Sequence, residues 1–316
     1  MEISVVICTY NRCESLRRTL KTFSSLTIPK ELKWELLVVN NNSKDATEDV
    51  CADFEDALPL RYIFESQQGK SFALNRSIDE AQGSLILFTD DDVDLDANWI
   101  LSYVDAAQRH PDASFFGGRV VACWEEKPPA WLKKNQSWLH AVVQMDRGET
   151  EQLVAKDEHP FFLGANMACR QKVFQSGVRF AKDIGPKGSD DSQSGNVRGE
   201  EMVLQRQLIL AGLKGVYVGQ SLVNHRHAPH RLTEKYIRKW YRGHGIAEVR
   251  CGQIPQKKLC FGAPRYFWKM LLFSRIKYFL TRRIAPSRIW LKAETDFAFA
   301  SGVISESRKQ TASANK

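Results

Sequence analysis

Residues 85–92 read LILFTDDD, an apolar run that passes directly into three aspartates. The apolar and β-branched side chains from Leu85 to Thr89 predict a short buried strand. Three adjacent carboxylates repel one another, so they suit a solvated turn or the neighbourhood of a divalent cation such as Mg²⁺ or Mn²⁺, which binds hard oxygen ligands. The stretch therefore predicts either an acidic turn or a metal site at the end of a buried strand.

The chain before this stretch alternates between strand-like and helix-like segments. The predicted strands cover Ile3–Cys8, Glu35–Val39 and Leu60–Phe64, and the predicted helices cover Arg12–Leu26, Asp45–Leu58 and Ser71–Gln82. This alternation predicts an α/β fold in which helices flank both faces of an open, mostly parallel twisted sheet. Because ligands of such sheets bind at the carboxyl ends of the strands, we expect the chemistry directly after each strand.

Polar segments follow the first two strands as well. Thr9-Tyr10-Asn11-Arg12 closes the first strand, and Asn40-Asn41-Asn42-Ser43 closes the second. These side chains could hold a base, a ribose or a phosphate. Thr9 or Asn11 could equally cap the following helix, and asparagines are common in plain turns. The residues alone leave both interpretations open.

Gly199-Glu200-Glu201 opens a predicted helix that ends near Ala211. It follows residues 183–199, which are rich in Gly, Ser and Asp and predict a mobile loop. The helix dipole favours carboxylates in a first helical turn, which is one explanation for the pair. The other is that one glutamate acts as a general base and removes the proton from an attacking hydroxyl.

Charge is divided unevenly along the chain. The 316 residues carry a net charge of +8, but residues 1–225 have 25 Lys and Arg against 32 Asp and Glu, whereas residues 226–316 have 20 against 5. Such a basic block seeks a polyanion: a membrane surface, a nucleic acid or an acidic substrate. The seven scattered cysteines predict reduced thiols, and the N-terminal residues lack the features of a secretory signal, so we expect a cytoplasmic protein.

Several segments, taken as an ordered set, resemble family 2 glycosyltransferases of the GT-A fold. They are VVICTYNR at 5–12, VVNNNSKDAT at 38–47, GKSFALNRSIDEAQG at 69–83, LFTDDDV at 87–93, FLGANMACRQKVF at 162–174, GEEMVLQRQLILAGLKGVYV at 199–218 and VNH at 223–225. The resemblance covers roughly residues 1–245. It implies an inverting enzyme that moves a sugar from a nucleotide-sugar to a hydroxyl acceptor, in cell-surface polysaccharide or glycolipid synthesis.

The resemblance also implies roles for individual residues. Asp90 and Asp92 are similar to the ends of the D-x-D motif, which together with His225 binds a divalent metal, Mg²⁺ or Mn²⁺. Glu201 matches the catalytic base, and Glu200 stands beside it. The implied donor-binding residues are Thr9, Tyr10, Asn11, Arg12, Asn41, Lys70, Arg76, Asp90 and Asp91. The implied acceptor-binding or closing residues are Gly164, Asn166, Arg238, Trp240 and Arg242.

The chain departs from the family pattern at two places. Asn40 and Asn41 stand where the family usually has an aspartate, which leaves the nucleotide open between UDP, GDP and dTDP. The family's Glu-Asp pair is here Glu200-Glu201, so either glutamate remains a candidate for the base.

The basic C-terminal third predicts helices at 231–250 and 264–283 and a disordered tail at 305–316. We expect a transferase domain over residues 1–225 and a basic, aromatic, helical extension over residues 226–316.

The second of these helices combines cations with aromatic and aliphatic residues. This mixture favours a helix in the interface of an anionic membrane, with Phe267, Trp268, Leu271 and Phe273 inserted, and packing on the transferase domain is the alternative. The expected partners are a nucleotide-sugar, a saccharide or lipid-linked acceptor and the inner face of the cytoplasmic membrane, with no nucleic acid.

Three rival functions fit part of the pattern. A sugar nucleotidyltransferase shares the sheet and the metal carboxylates but normally has a glycine-rich loop after its first strand, where this chain has ICTYNR. A nucleic-acid-binding module would explain the basic block, but no recognised motif is present. A nucleotide-sugar binder without catalytic activity would keep the same site.

Overall fold

The computed structural model describes residues 2–135, 139, 141–142, 144–154, 162–186, 197 and 199–314. The strands are β1 (Ile3–Thr9), β2 (Trp34–Asn40), β3 (Leu60–Phe64), β4 (Leu85–Thr89), β5 (Val93–Leu95), β6 (Ala113–Trp124), β7 (Gln152–Leu153), β8 (Met167–Arg170), β9 (Lys214–His227), β10 (Leu259–Cys260) and β11 (Ala263–Pro264). The helices are α1 (Cys13–Phe23), α2 (Thr47–Ala52), α3 (Lys70–Glu80), α4 (Trp99–Arg109), α5 (Ala130–Lys133), α6 (Gln171–Gln175), α7 (Glu200–Leu210), α8 (Glu234–Arg250), α9 (Arg265–Thr281) and α10 (Ser287–Ala314). Short 3₁₀ helices cover Gly164–Asn166 and Pro229–Leu232.

The described residues form two compact units. Unit one contains those within Met1–Cys123, Val143–Ser189 and Glu200–His227. Unit two contains those within Trp124–Val142, Asp190–Gly199 and Ala228–Lys316.

Four parallel strands form the first half of the sheet in unit one, in the order β3-β2-β1-β4. Their sequences are nearly continuous apolar runs, because a parallel sheet is covered on both faces and side chains on both faces are therefore buried. In this register Thr9 lies opposite Asn40, and Ile7 lies opposite Thr89. The carboxyl ends of β1, β2 and β4 therefore meet at one edge of the sheet.

Helices cover both faces of this sheet. Successive strand side chains point to opposite faces. Val5 and Ile7 accordingly pack in one cluster with residues of α1, α2 and α4, whereas Val6 packs in a second cluster with residues of α3, α6 and α7. This arrangement confirms the predicted α/β fold class.

The second half of the sheet is antiparallel, and the sequence pattern did not predict it. β8 pairs with β4 and with β6, and both β5 and β7 pair with β9. One consequence concerns the aspartates. Because Val93 lies opposite His225, the β5–β9 pairing brings residue 225 next to the segment that follows β4.

Unit two is built mainly from three helices, with α10 packed against both α8 and α9. Two glycines permit close approach of the helices: a Cβ on Gly302 would lie 2.0 Å from the carbonyl oxygen of Arg242, and one on Gly245 would lie 2.3 Å from that of Phe299. The carboxylate of Glu294, on α10, is buried and pairs with Arg238 of α8.

The predicted disordered tail at 305–316 is wrong for residues 305–314, which belong to α10. Two polar residues of this segment, Glu306 and Ser307, are buried, and Glu306 pairs with Arg250 of α8 at 2.8 Å. A buried carboxylate is tolerated because this partner supplies the opposite charge.

Most of the predicted mobile loop at 183–199 lies outside the described residues. Its first residues are bonded to α3: Ser71 donates to the carbonyl oxygen of Ile184, and the backbone amide of Lys70 donates to that of Pro186. Among the described helices, none combines the length and apolarity needed to cross a membrane.

Candidate active site

The site begins where β1 and β4 end side by side. The hydroxyl of Thr9, the last residue of β1, donates a hydrogen bond of 2.7 Å to Asp91 Oδ2. Thr9, Asp91 and Asp92 are buried, whereas Asp90 is partly exposed. The three aspartates are therefore not a solvated acidic turn, and their charges need partners inside the protein.

Arg12 supplies one partner from the loop between β1 and α1. Its guanidinium donates to Asp91 Oδ1 at 2.7 Å and to Asp92 Oδ2 at 2.8 Å. Burial nevertheless raises the pKa of Asp91 to about 6, against the lowering effect of Arg12. Neighbouring Asn11 has φ of 51°, and its side-chain oxygen accepts a hydrogen bond from the backbone amide of Lys44. These features fix the turn that precedes Arg12.

Lys70 supplies the second partner from the start of α3. Its ammonium lies 2.7 Å from Asp90 Oδ1 and 3.6 Å from Glu200 Oε1. Burial would lower the pKa of Lys70, but Asp90 and Glu200 outweigh it and raise that pKa above its ordinary value. Burial likewise opposes ionisation of Asp90, but the positive charge of Lys70 keeps the pKa of Asp90 below its ordinary value. Both groups are therefore charged at neutral pH.

Asn41 holds the backbone of the loop that precedes Lys70. Its side-chain oxygen accepts from the backbone amide of Gly69 at 2.7 Å, and its amide donates to the carbonyl oxygen of Gln67 at 2.7 Å. Gly69 has φ of 139°, a conformation that side chains rarely adopt. Asn41, predicted to bind donor, thus holds the loop before α3.

Asp90, Asp92 and His225 form a candidate metal site. One ligand atom from each lies within 4.8 Å of the others. His225 Nε2 is 3.2 Å from Asp92 Oδ1 and 3.9 Å from Asp90 Oδ2. Two carboxylate oxygens and an imidazole nitrogen suit a divalent cation, which would also relieve the repulsion between the aspartates. The residues therefore fit the predicted metal.

Glu200 and Glu201 begin α7 but lie in different surroundings. Glu200 is buried beside Lys70, whereas Glu201 is partly exposed. Burial, followed by the neighbouring charge of Glu200, raises the pKa of Glu201 to about 8. A Cβ on Gly164 would lie 4.0 Å from the Glu201 carboxyl carbon and 3.9 Å from Lys70 Nζ, so Gly164 lies directly beside both groups.

Two predicted site residues lie elsewhere in unit one. Arg76 is exposed on α3 and pairs with Glu80 at 2.8 Å. Asn166 is fully buried, and its side-chain oxygen accepts from Trp99 and Tyr103 while its amide donates to the carbonyl oxygens of Arg119 and Ser221. Its hydrogen-bonding capacity is used inside the core.

The remaining predicted residues are Tyr10, in unit one, and three residues of α8, in unit two. Tyr10 is half-buried at the end of β1. Arg238 pairs with Glu294 inside unit two, and the ring of Trp240 lies 5.0 Å from that of Tyr241 and 5.4 Å from that of His244. Arg242 is half-buried on the same helix.

Arg226 was missed by the sequence reasoning. It is buried, its guanidinium donates to the carbonyl oxygen of Val93 and the hydroxyl of Thr19, and its backbone amide donates to the carbonyl oxygen of Asp92. It therefore ties the backbone of Asp92 and Val93 to the residue that follows His225. The available signal was a lone arginine directly after the histidine of VNH.

The Glycosyl transferase family 2 model matches residues 4–177. A curated relative, the glucosyl-dolichyl phosphate glucuronosyltransferase of Haloferax volcanii, is 26% identical over 251 residues, which cover 77% of this chain and 76% of the relative.

Solved structures match over nearly the whole chain. S. aureus TarS 1–349 in complex with UDP-GlcNAc superposes with a TM-score of 0.56 at 14% identity, covering 98% of this chain and 92% of that TarS 1–349 chain. The mannosyltransferase PcManGT from Pyrobaculum calidifontis, in complex with GDP-Man and Mn²⁺, gives a TM-score of 0.53 at 16% identity. The match covers 100% of this chain and 76% of the PcManGT chain. At this identity the match establishes the fold.

The family match and the fold together define a glycosyltransferase of the GT-A type. Since the family model spans more than half of the sequence, the chain belongs to glycosyl transferase family 2.

Proposed function

We propose that the protein inverts the sugar's anomeric configuration by single displacement. Glu201 removes the proton of the acceptor hydroxyl, the resulting oxygen forms a bond to the anomeric carbon, and the bond from that carbon to the nucleoside diphosphate breaks on the opposite face. One observation carries this proposal: Lys70 contacts both Asp90, a candidate metal ligand, and Glu200 of the glutamate pair. Donor-binding and proton-accepting groups therefore meet at one place.

Glu201 fits the role of base better than Glu200. Glu200 is buried with its carboxylate 3.6 Å from the ammonium of Lys70, so it is less accessible to an acceptor hydroxyl. Glu201 is partly exposed, lies beside Gly164 and has its pKa raised to about 8. A base is most effective when its pKa is near the working pH.

Asp90, Asp92 and His225 would hold the metal, which when bound neutralises charge on the donor's diphosphate. The nitrogen ligand favours Mn²⁺ over Mg²⁺, which prefers oxygen ligands throughout. Arg12 and Lys70 hold the aspartates in place for this purpose.

The proposed acceptor is a lipid-linked saccharide at the inner face of the cytoplasmic membrane. Two facts support it: the Haloferax relative is named for a dolichyl-phosphate-linked sugar, and residues 226–316 carry 20 Lys and Arg against 5 Asp and Glu. Attachment to this surface would be peripheral.

The test is a panel of UDP-, GDP- and dTDP-sugars offered with Mn²⁺, with Mg²⁺ and with EDTA. We expect one donor to be hydrolysed slowly and only with metal, fastest with Mn²⁺, and proton NMR to show product of inverted configuration. Retained configuration would contradict the mechanism, and metal-independent hydrolysis would contradict the site. The matched control is Asp112→Asn, which changes an exposed aspartate that pairs with Lys214 on the surface.

A further inference from the structure

Helix α9 carries a row of exposed apolar side chains. Leu272, Phe273, Phe279 and Leu280 are between 59% and 67% exposed, and Ile276 is 47% exposed. Apolar residues are normally exposed singly, whereas a contiguous patch marks a surface that contacts something else.

The spacing places these residues on one face. Leu272, Ile276 and Leu280 recur every fourth residue and so line up along the helix. Phe273 and Phe279 flank this stripe, and Ile284 extends it into the turn after α9, where it is 86% exposed. We call these six residues the outer face of α9.

The opposite side of α9 is fixed in the core of unit two. Phe267 is buried against Val249, Ala300 and Val303, with Leu271 partly buried beside it. Of the residues that the sequence predicted to insert into a membrane, Phe267, Trp268 and Leu271 therefore pack inward, and only Phe273 lies on the outer face. The outer face is consequently built into the fold and does not arise from a loose helix.

The charges carried by α9 and by the segments that flank it in sequence are all positive. Residues 249–293 contain eleven Lys and Arg and no Asp or Glu. Arg265, Lys269, Lys277 and Arg283 are exposed on or beside α9. Apolar side chains surrounded by cations match the interface of an anionic bilayer, where the chains insert and the cations contact headgroups.

We propose that the outer face of α9 inserts into the headgroup region of an anionic membrane and holds unit two on it. A second copy of the chain is a poorer occupant because it would bring like charges together. The inference names the surface behind the proposed peripheral attachment, but its evidence is separate from the chemistry of unit one.

The experiment measures binding of the full chain to phosphatidylglycerol-containing vesicles and to pure phosphatidylcholine vesicles, without donor. The test variant is Leu272→Ser with Leu280→Ser. The control is Leu153→Ser with Leu210→Ser, two leucines of similar exposure in unit one. All four side chains are exposed, so neither pair should disturb the fold, and thermal melting checks this.

We expect strong binding to the anionic vesicles alone, a loss of roughly tenfold or more for the α9 variant, and no change for the control. Equal binding of both variants, or of both vesicle types, would overturn the proposal. So would a protein that ignores vesicles but forms dimers that the α9 substitutions disperse. Metal-dependent donor hydrolysis should be unchanged in the α9 variant, so failure of the proposed chemistry and failure of this inference are distinguishable.

Discussion

Unit one gathers three adjacent aspartates at one sheet edge, and unit two gathers eleven lysines and arginines within residues 249–293. The aspartates have partners inside the protein: Arg12 contacts Asp91 and Asp92, and Lys70 contacts Asp90. The cations of α9 include several that are exposed to solvent, among them Lys269 and Lys277.

The difference separates two uses of charge. The pairs at the sheet edge are partly buried and act at fixed distances, so each member is individually required, and removal of one leaves its partner without compensation. Exposed cations act collectively, are screened by salt and can replace one another. Individual substitutions should therefore be severe at the sheet edge and mild on α9.

The largest effect is expected at Asp92. Asp92→Asn keeps the size of the side chain but removes the charge that faces His225 and Arg12. We expect transfer to fall by roughly 10⁴-fold and Mn²⁺ binding, measured by calorimetry, to be lost, since a metal supplies several kcal/mol of charge stabilisation. The Asp112→Asn control should stay active. Full activity in EDTA would show that the aspartates serve another purpose.

The next effect separates the two glutamates. Glu201→Gln should lower kcat by roughly 10²–10⁴ while the donor Kd stays nearly constant, because the base acts only in the chemical step. Wild-type kcat/KM should rise with pH towards about 8, where the Glu201 carboxyl loses its proton, and this rise should vanish in the variant. If Glu200→Gln is the inactive variant and Glu201→Gln turns over normally, the assignment within the pair is reversed.

A smaller effect tests the exposed cations. Lys269→Gln and Lys277→Gln should weaken binding to anionic vesicles by similar factors, about fivefold each, since a cation near such a surface contributes about 1 kcal/mol. High salt should release the wild type from the vesicles, whereas donor hydrolysis should change little because the ion pairs of the active site are partly buried and therefore less screened. Loss of binding in one variant alone would point to a specific headgroup contact instead of a collective charge.

Sequence periodicity predicted the first half of the fold well because parallel strands and their helices follow one another along the chain. β3 and β4 have the predicted bounds, Leu60–Phe64 and Leu85–Thr89. The antiparallel half escaped prediction because its pairings join distant segments, as when β4 pairs with β8. The end of α10 was missed because Glu306 looks solvent-exposed in sequence and is buried only by its pairing with Arg250.

The candidate site shows the same limit. Residues directly after strands, such as Asp90 and Asp92, could be predicted because strand ends share one edge. Arg226 could not, since its importance depends on the β5–β9 pairing that places it against Val93. Asn166 carried a motif-based role, but only the fold shows that its amide is used in the core.

The smallest effect concerns stability and tests whether burial sets the properties of Glu201. Its pKa is raised from an ordinary 4.5 to about 8, so the folded state holds this proton more tightly than the unfolded state. As pH rises between these values, the unfolded chain ionises first, and the wild type loses stability relative to a variant that cannot ionise. Without metal, Glu201→Gln should therefore match the wild-type melting temperature near the lower pKa and exceed it by several degrees above the higher one. Calorimetric melts across this range provide the measurement, and Glu2→Gln, at an exposed glutamate, is the control. A difference that is constant with pH would show that Glu201 ionises normally in the folded protein, and the charge of Glu200 and the surrounding burial would then not tune the base.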